Sequence, residues 1–172
     1  GMPAHAIPGF VTCALMNSNP YMVYAGGEYG EHGMDDEGFS GRDGRTTIFD
    51  YWSPRNLRLG YYDYDSLDGQ EHWLYDTHRN VLNIAHNEKA INEGAFFDLM
   101  YVNPQLGERQ FAYLRKVESD QSTFILVVSN YNDCDVSLDI TIPDHAFNSL
   151  KISPGNYKVT DLLTNNSFDA SI

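Results

Sequence analysis

The chain has 172 residues, 42% of them hydrophobic, and 24 Asp and Glu against 11 Lys and Arg set a formal net charge of −13. With 14 Gly and 7 Pro this is an ordinary globular composition, which excludes an intrinsically disordered chain and a collagen-like repeat. No apolar run reaches the roughly 18 residues of a membrane span, and so acidic a chain lacks the Lys and Arg clusters needed to neutralise nucleic-acid phosphates or an anionic membrane surface.

In chain order, Ala4, Ile7, Val11, Ala14 and Leu15 recur near every 3.6 residues and predict a helix over 4–16. Pro3 suits its first turn, Pro8 is tolerated only close to the start, and Asn17-Ser18-Asn19-Pro20 stops it. Residues 21–25 (YMVYA) are a short apolar run between Pro20 and Gly26, the pattern of a strand buried on both faces. From 26 to 67 neither helical nor strand periodicity is sustained. A structureless stretch of that length directly after a buried strand reads as a functional loop. Asp68-Gly69-Gln70-Glu71 is an N-cap with Glu at the third position, opening a helix whose stripe is Trp73, Leu74, Thr77, Val81, Ile84 and Ala85. Asn92-Glu93-Gly94 ends it.

After Gly94 the rhythm becomes that of strands. Residues 95–103, 109–117, 123–130, 135–142 and 157–163 are rich in aromatic and β-branched side chains and are separated by turn residues. They predict an antiparallel, sandwich-like module with its boundary near residue 93. A single helix, strand and further helix cannot cover a strand that is apolar on both faces, so the first half reads as the tail of something larger. The exposed faces of 4–25 would then lead either to self-association through that segment or to its disorder.

Several motifs fail on inspection. Gly26, Gly27, Gly30 and Gly33 lack the GxGxxG order, and Glu28 and Glu31 would repel phosphate. A calcium loop counted from Asp63 has Asp68 where Gly belongs and Leu74 where Glu belongs. The six His show no zinc spacing, and no GxSxG elbow occurs. Cys13 and Cys134 make no disulfide framework and read as buried or half-buried free thiols. Gly1-Met2-Pro3 resembles an engineered start, so the compartment stays open. Denser information lies around the long loop, where Tyr21, Tyr24, Tyr29, Phe39, Phe49 and Trp52 interleave with Glu28, Asp43, Arg42 and Arg45. Rings beside carboxylates and guanidinium forks suit a sugar, with its apolar face and rim of hydroxyls, or else pack under the loop.

The string Pro20-Tyr-Met-Val-Tyr-Ala-Gly-Gly-Glu-Tyr-Gly-Glu, followed by Gly41-Arg-Asp-Gly-Arg-Thr-Thr-Ile-Phe-Asp-Tyr-Trp, resembles the α-amylase family of glycoside hydrolases. There a (β/α)8 barrel precedes an antiparallel C-terminal β domain. The resemblance implies an α+β chain in which 1–93 is the remnant of the barrel (helix, strand, long loop, helix). Residues 94–172 would be the C-terminal domain without its last one or two strands. It implies that the parent enzyme acts on α-glucans or oligosaccharides, and that Glu28, Arg42, Asp43, Arg45 and Trp52 touch the substrate. The retaining chemistry needs a nucleophile and an acid/base about 5 Å apart, and the family's three catalytic carboxylates lie upstream of everything matched here. No catalytic residue is therefore assigned, the chain alone is expected to be inactive, and Gly27 stands where a polar contact is common. No cofactor is implied beyond a structural calcium that the parent could hold. The alternative is a stand-alone carbohydrate-binding or structural β module.

Overall fold

The computed structural model describes residues 3–31, 54–119 and 123–171. Its elements are α1 (Ile7–Leu15), α2 (Arg55–Tyr62), α3 (Gly69–Asn87), α4 (Lys89–Asn92), β1 (Ala95–Asp98), β2 (Gln110–Lys116), β3 (Ile125–Asn130), α5 (Asp144–Leu150), β4 (Asn156–Thr160) and β5 (Ser167–Ser171). The protein is α+β with antiparallel sheets. It divides into two compact units, Gly1–Pro20 with Asn80–Ile172, and Tyr21–Arg79. The division falls within α3.

The larger unit is organised by β2, the central strand of a sheet in the order β1-β2-β3. Alternation along β2 sends Tyr113 to one face and Ala112 and Leu114 to the other. On the first face Tyr113 and Val127 pack with Phe10, Val11, Ala14 and Leu15 of α1 and with Val81 and Ile91. On the opposite face Ala112 and Leu114 pack with Leu99, Leu106, Ala146, Leu150 and Ile152. Each such aliphatic side chain contributes roughly 1.5–3 kcal/mol on burial. The apolar face of α1 is thus covered from within its own unit: Val11 is 9% and Leu15 5% exposed. The expectation that this helix lacks partners is corrected, because β3 supplies them. Thr12 Oγ1 donates to Ser129 Oγ at 2.9 Å and lies 2.7 Å from Tyr131 Oη, fixing the helix on the strand.

Other expectations shift for local reasons. Residues 21–25 belong to neither sheet, and Met22 is 82% exposed; an apolar run becomes a strand only when a neighbouring strand accepts its ladder. Of the strand expected over 95–103 only β1 forms. Asp98 accepts the Met100 N–H at 2.8 Å and turns the chain into the 3-10 turns Met100–Val102 and Pro104–Leu106. Residues 135–142 form no strand, because side-chain amides take their backbone groups. Asn103 accepts the Thr141 N–H and donates to the Thr141 carbonyl, and Gln105 donates to the Asp139 carbonyl. Trp73 of the expected stripe is 46% exposed, whereas Leu74 and Val81 are buried. Both cysteines are free and exposed, not buried.

Candidate functional site

The smaller unit carries Glu28, the one residue marked by the sequence for ligand contact that lies among the described residues. Gly26 (φ 83°) and Gly30 (φ 69°) take left-handed backbone that other residues adopt only with strain. The chain after Tyr24 therefore closes into a turn instead of running on. Gly27 N–H donates to the Tyr24 carbonyl at 2.8 Å and Glu31 N–H to the Gly26 carbonyl at 2.9 Å. A Cβ on Gly26 would sit 2.7 Å from the Glu31 Cβ, so the crossing tolerates only glycine.

Two side chains of this turn have separate tasks. Glu31 Oε2 accepts the N–H groups of Asn56 and Leu57 at 2.6 and 3.0 Å, placing a carboxylate at the positive end of α2. The buried Asn56 amide in return donates to the Tyr29 carbonyl at 3.0 Å. Tyr29 stacks flat on Tyr75, centroids 5.1 Å apart, and Tyr75 meets Tyr64 edge-on at 5.5 Å. Gly60 of α2 lies against the Tyr29 ring, where a Cβ would come within 2.3 Å. Below them α3 opens as its sequence predicts. Asp68 Oδ1 accepts the Gln70 and Glu71 N–H groups, and Glu71 Oε2 takes the Asp68 N–H, each at 2.8 Å. Glu71 also pairs with Arg55 at 2.8 Å.

Glu28 differs from its neighbours. Its side chain is half-buried, and Oε2 is wholly buried with no hydrogen-bond partner among the described residues. A buried acceptor without a donor costs about 1–3 kcal/mol, more for a charged group. Of the five residues assigned to substrate contact only Glu28 lies among the described residues; Arg42, Asp43, Arg45 and Trp52 lie outside them. The positions of Glu31, Asn56, Gly60 and Tyr75 were not singled out by sequence as parts of this site. Glu31 carries no motif of its own as a cap, because it reaches α2 from 25 residues away in sequence. Among the described residues no group of three or more His, Cys, Asp and Glu side chains could hold a metal ion.

Burial, and then the nearby Tyr75 and Glu28 charges, push the Tyr29 phenol from 10.0 up to about 12. A phenol raised in the folded state contributes stability that is complete below its unfolded value and lost as pH rises through the folded one. The unit is therefore expected to weaken between pH 10 and about 12. Replacing Tyr29 with Phe should flatten that part of the alkaline unfolding curve, followed by tyrosinate absorbance and circular dichroism. An unchanged alkaline limb would refute the assignment.

No family model matches the chain, and neither the curated proteins nor the solved structures contain a match.

Proposed function

We propose that the chain is the C-terminal segment of an α-amylase-family glycoside hydrolase, contributing substrate contacts to α-glucan cleavage without supplying the catalytic carboxylates. In this reading 1–93 ends a (β/α)8 barrel and 94–172 is a sandwich-like C-terminal domain. The match of residues 20–31 and 41–52 to the family pattern motivates it. The observation that carries it is the half-buried Glu28 carboxylate in the turn that follows residues 21–25, whose inner oxygen has no donor among the described residues. Sugar hydroxyls are donors that a carboxylate accepts where solvent reaches it, and a hydrogen bond to a charged acceptor contributes about 1.5–3 kcal/mol.

The test is titration of the purified chain with maltoheptaose, read by amide chemical shifts and calorimetry. Shifts in residues 26–31 are expected, with Glu28→Gln weakening binding about tenfold or more. Soluble starch should release no reducing sugar, since no nucleophile and acid pair is assigned. Binding that Glu28→Gln leaves unchanged would overturn the reading. The alternative, a stand-alone carbohydrate-binding or structural β module, is favoured by one observation: the larger unit covers both faces of its own sheet. It predicts shifts confined to 95–171 and none in 26–31.

A further inference from the structure

We propose that a cleft in the larger unit, between the C-terminal half of α3 and the β4–β5 turn, is a second sugar site that seats one pyranose unit of a neutral oligosaccharide. The cleft is a shallow groove open to solvent, with a volume of about 230 Å³. Asn80, Asn83 and Asn87 line it from α3, and their three- and four-residue spacing puts them on one helix face. Asn165 lines it from the turn, and Ile84, Leu162 and Leu163 supply apolar surface between the amides.

Each amide offers one acceptor oxygen and two donor hydrogens. Four of them around an apolar floor match a ring that presents hydroxyls at its rim and C–H groups on its face. The lining holds no Lys, Arg or His, which disfavours an anion, and only one carboxylate, Glu88. Calcium takes six to eight oxygen ligands, several of them ordinarily carboxylate, so a cation is poorly served. The volume falls below the ~300–1,000 Å³ of pockets that engulf a whole ligand. It therefore suits a single ring of a longer chain, with the rest lying in solvent.

The turn is held in place before any ligand arrives. Asp161 Oδ1 accepts the Leu163 N–H at 2.9 Å and Oδ2 the Thr164 hydroxyl at 2.6 Å, while Asn165 N–H donates to the Asp161 carbonyl at 2.7 Å. Asn165 adopts φ 62°, a left-handed conformation that Asn tolerates well. Leu163 stays 47% exposed at the cleft wall, apolar surface that a sugar face would cover. A wall that needs no reordering lowers the cost of binding. That the ring belongs to an α-glucan rests on the function proposed above.

The experiment titrates the isotopically labelled full chain with maltoheptaose and, separately, with β-linked cellopentaose. Maltoheptaose is expected to shift amides in 80–88 and 161–166. The double variant Asn83→Leu, Asn87→Leu, changed only at exposed helix positions, should raise the Kd read from those amides about tenfold or more and leave the shifts in 26–31 intact. Its unchanged helical dichroism would show that it is folded. Shifts in 26–31 alone, or cleft shifts that survive the double variant, overturn the second site and leave the proposed function standing. Cleft shifts produced by cellopentaose but not maltoheptaose support a sugar site here and overturn its α-glucan assignment. No cleft shift with either sugar overturns the site.

Discussion

Replacing Arg115 with Ala is expected to destabilise the larger unit by about 3–5 kcal/mol, the cost of breaking a buried, charged hydrogen-bond centre. Arg115 is 3% exposed on β2. Its Nη1 donates to the Met16 carbonyl at 2.9 Å, its Nε to the Ala90 carbonyl at 3.3 Å, and its Nη2 to the Ile91 carbonyl. These acceptors are the free carbonyls at the ends of α1 and α4, so one guanidinium caps two helices. Burial pulls the Arg115 pKa below the usual guanidinium value, yet an Arg stays charged at any physiological pH. Three fixed N–H directions are needed at once, and a lysine ammonium at the end of a flexible stem does not reproduce them. Arg115→Lys should recover less than half of the loss. Urea midpoints of the three proteins decide the matter, and a loss under about 1 kcal/mol for Arg115→Ala would remove the residue from this role.

The second large effect is expected at Asn103, which is fully buried. Its amide nitrogen donates to the Leu99 carbonyl at 2.7 Å and to the Thr141 carbonyl at 2.9 Å. Its oxygen accepts the Thr141 N–H at 2.7 Å and the Gln105 amide at 3.0 Å. All four bonding sites of the side-chain amide are used, and the partners lie 38 positions away in sequence as well as locally. Asn103→Asp keeps the shape and removes both donated hydrogen bonds. It also sets a carboxylate against two carbonyl oxygens. A loss of about 3 kcal/mol or more at neutral pH follows from unsatisfied buried groups, and Asn103→Ala should lose a similar amount with a small cavity added. The melting temperature of each variant is the measurement. An Asn103→Asp protein as stable as the parent would mean that residues 139–141 are held by something else.

What the sequence determined by itself is whatever depends on neighbours along the chain. The start of α3 is written in Asp68 and Glu71, three residues apart, and the capping box forms as read. Strands β2 and β3 form within the runs 109–117 and 123–130 that aromatic and β-branched residues mark, and the turn at 26–31 follows from two glycines that accept positive φ. The tertiary structure decided everything that depends on a partner. Residues 21–25 have a strand's composition and no ladder, and residues 135–142 lose theirs to the Asn103 and Gln105 side chains. Helix α5 has too few apolar positions, Ala146, Phe147 and Leu150, to announce itself, and it forms where those positions meet Leu99 and Leu114. Helix α2 contains Gly60, a poor helix former, and is held by Glu31 from a distant turn. At the candidate site, Glu28 was legible as a residue type in a telling place. That its inner oxygen lacks a donor was not, because burial of one atom depends on how every surrounding side chain packs. Local periodicity and capping are short-range properties of the chain. Hydrogen-bond satisfaction and cover are properties of the folded surroundings.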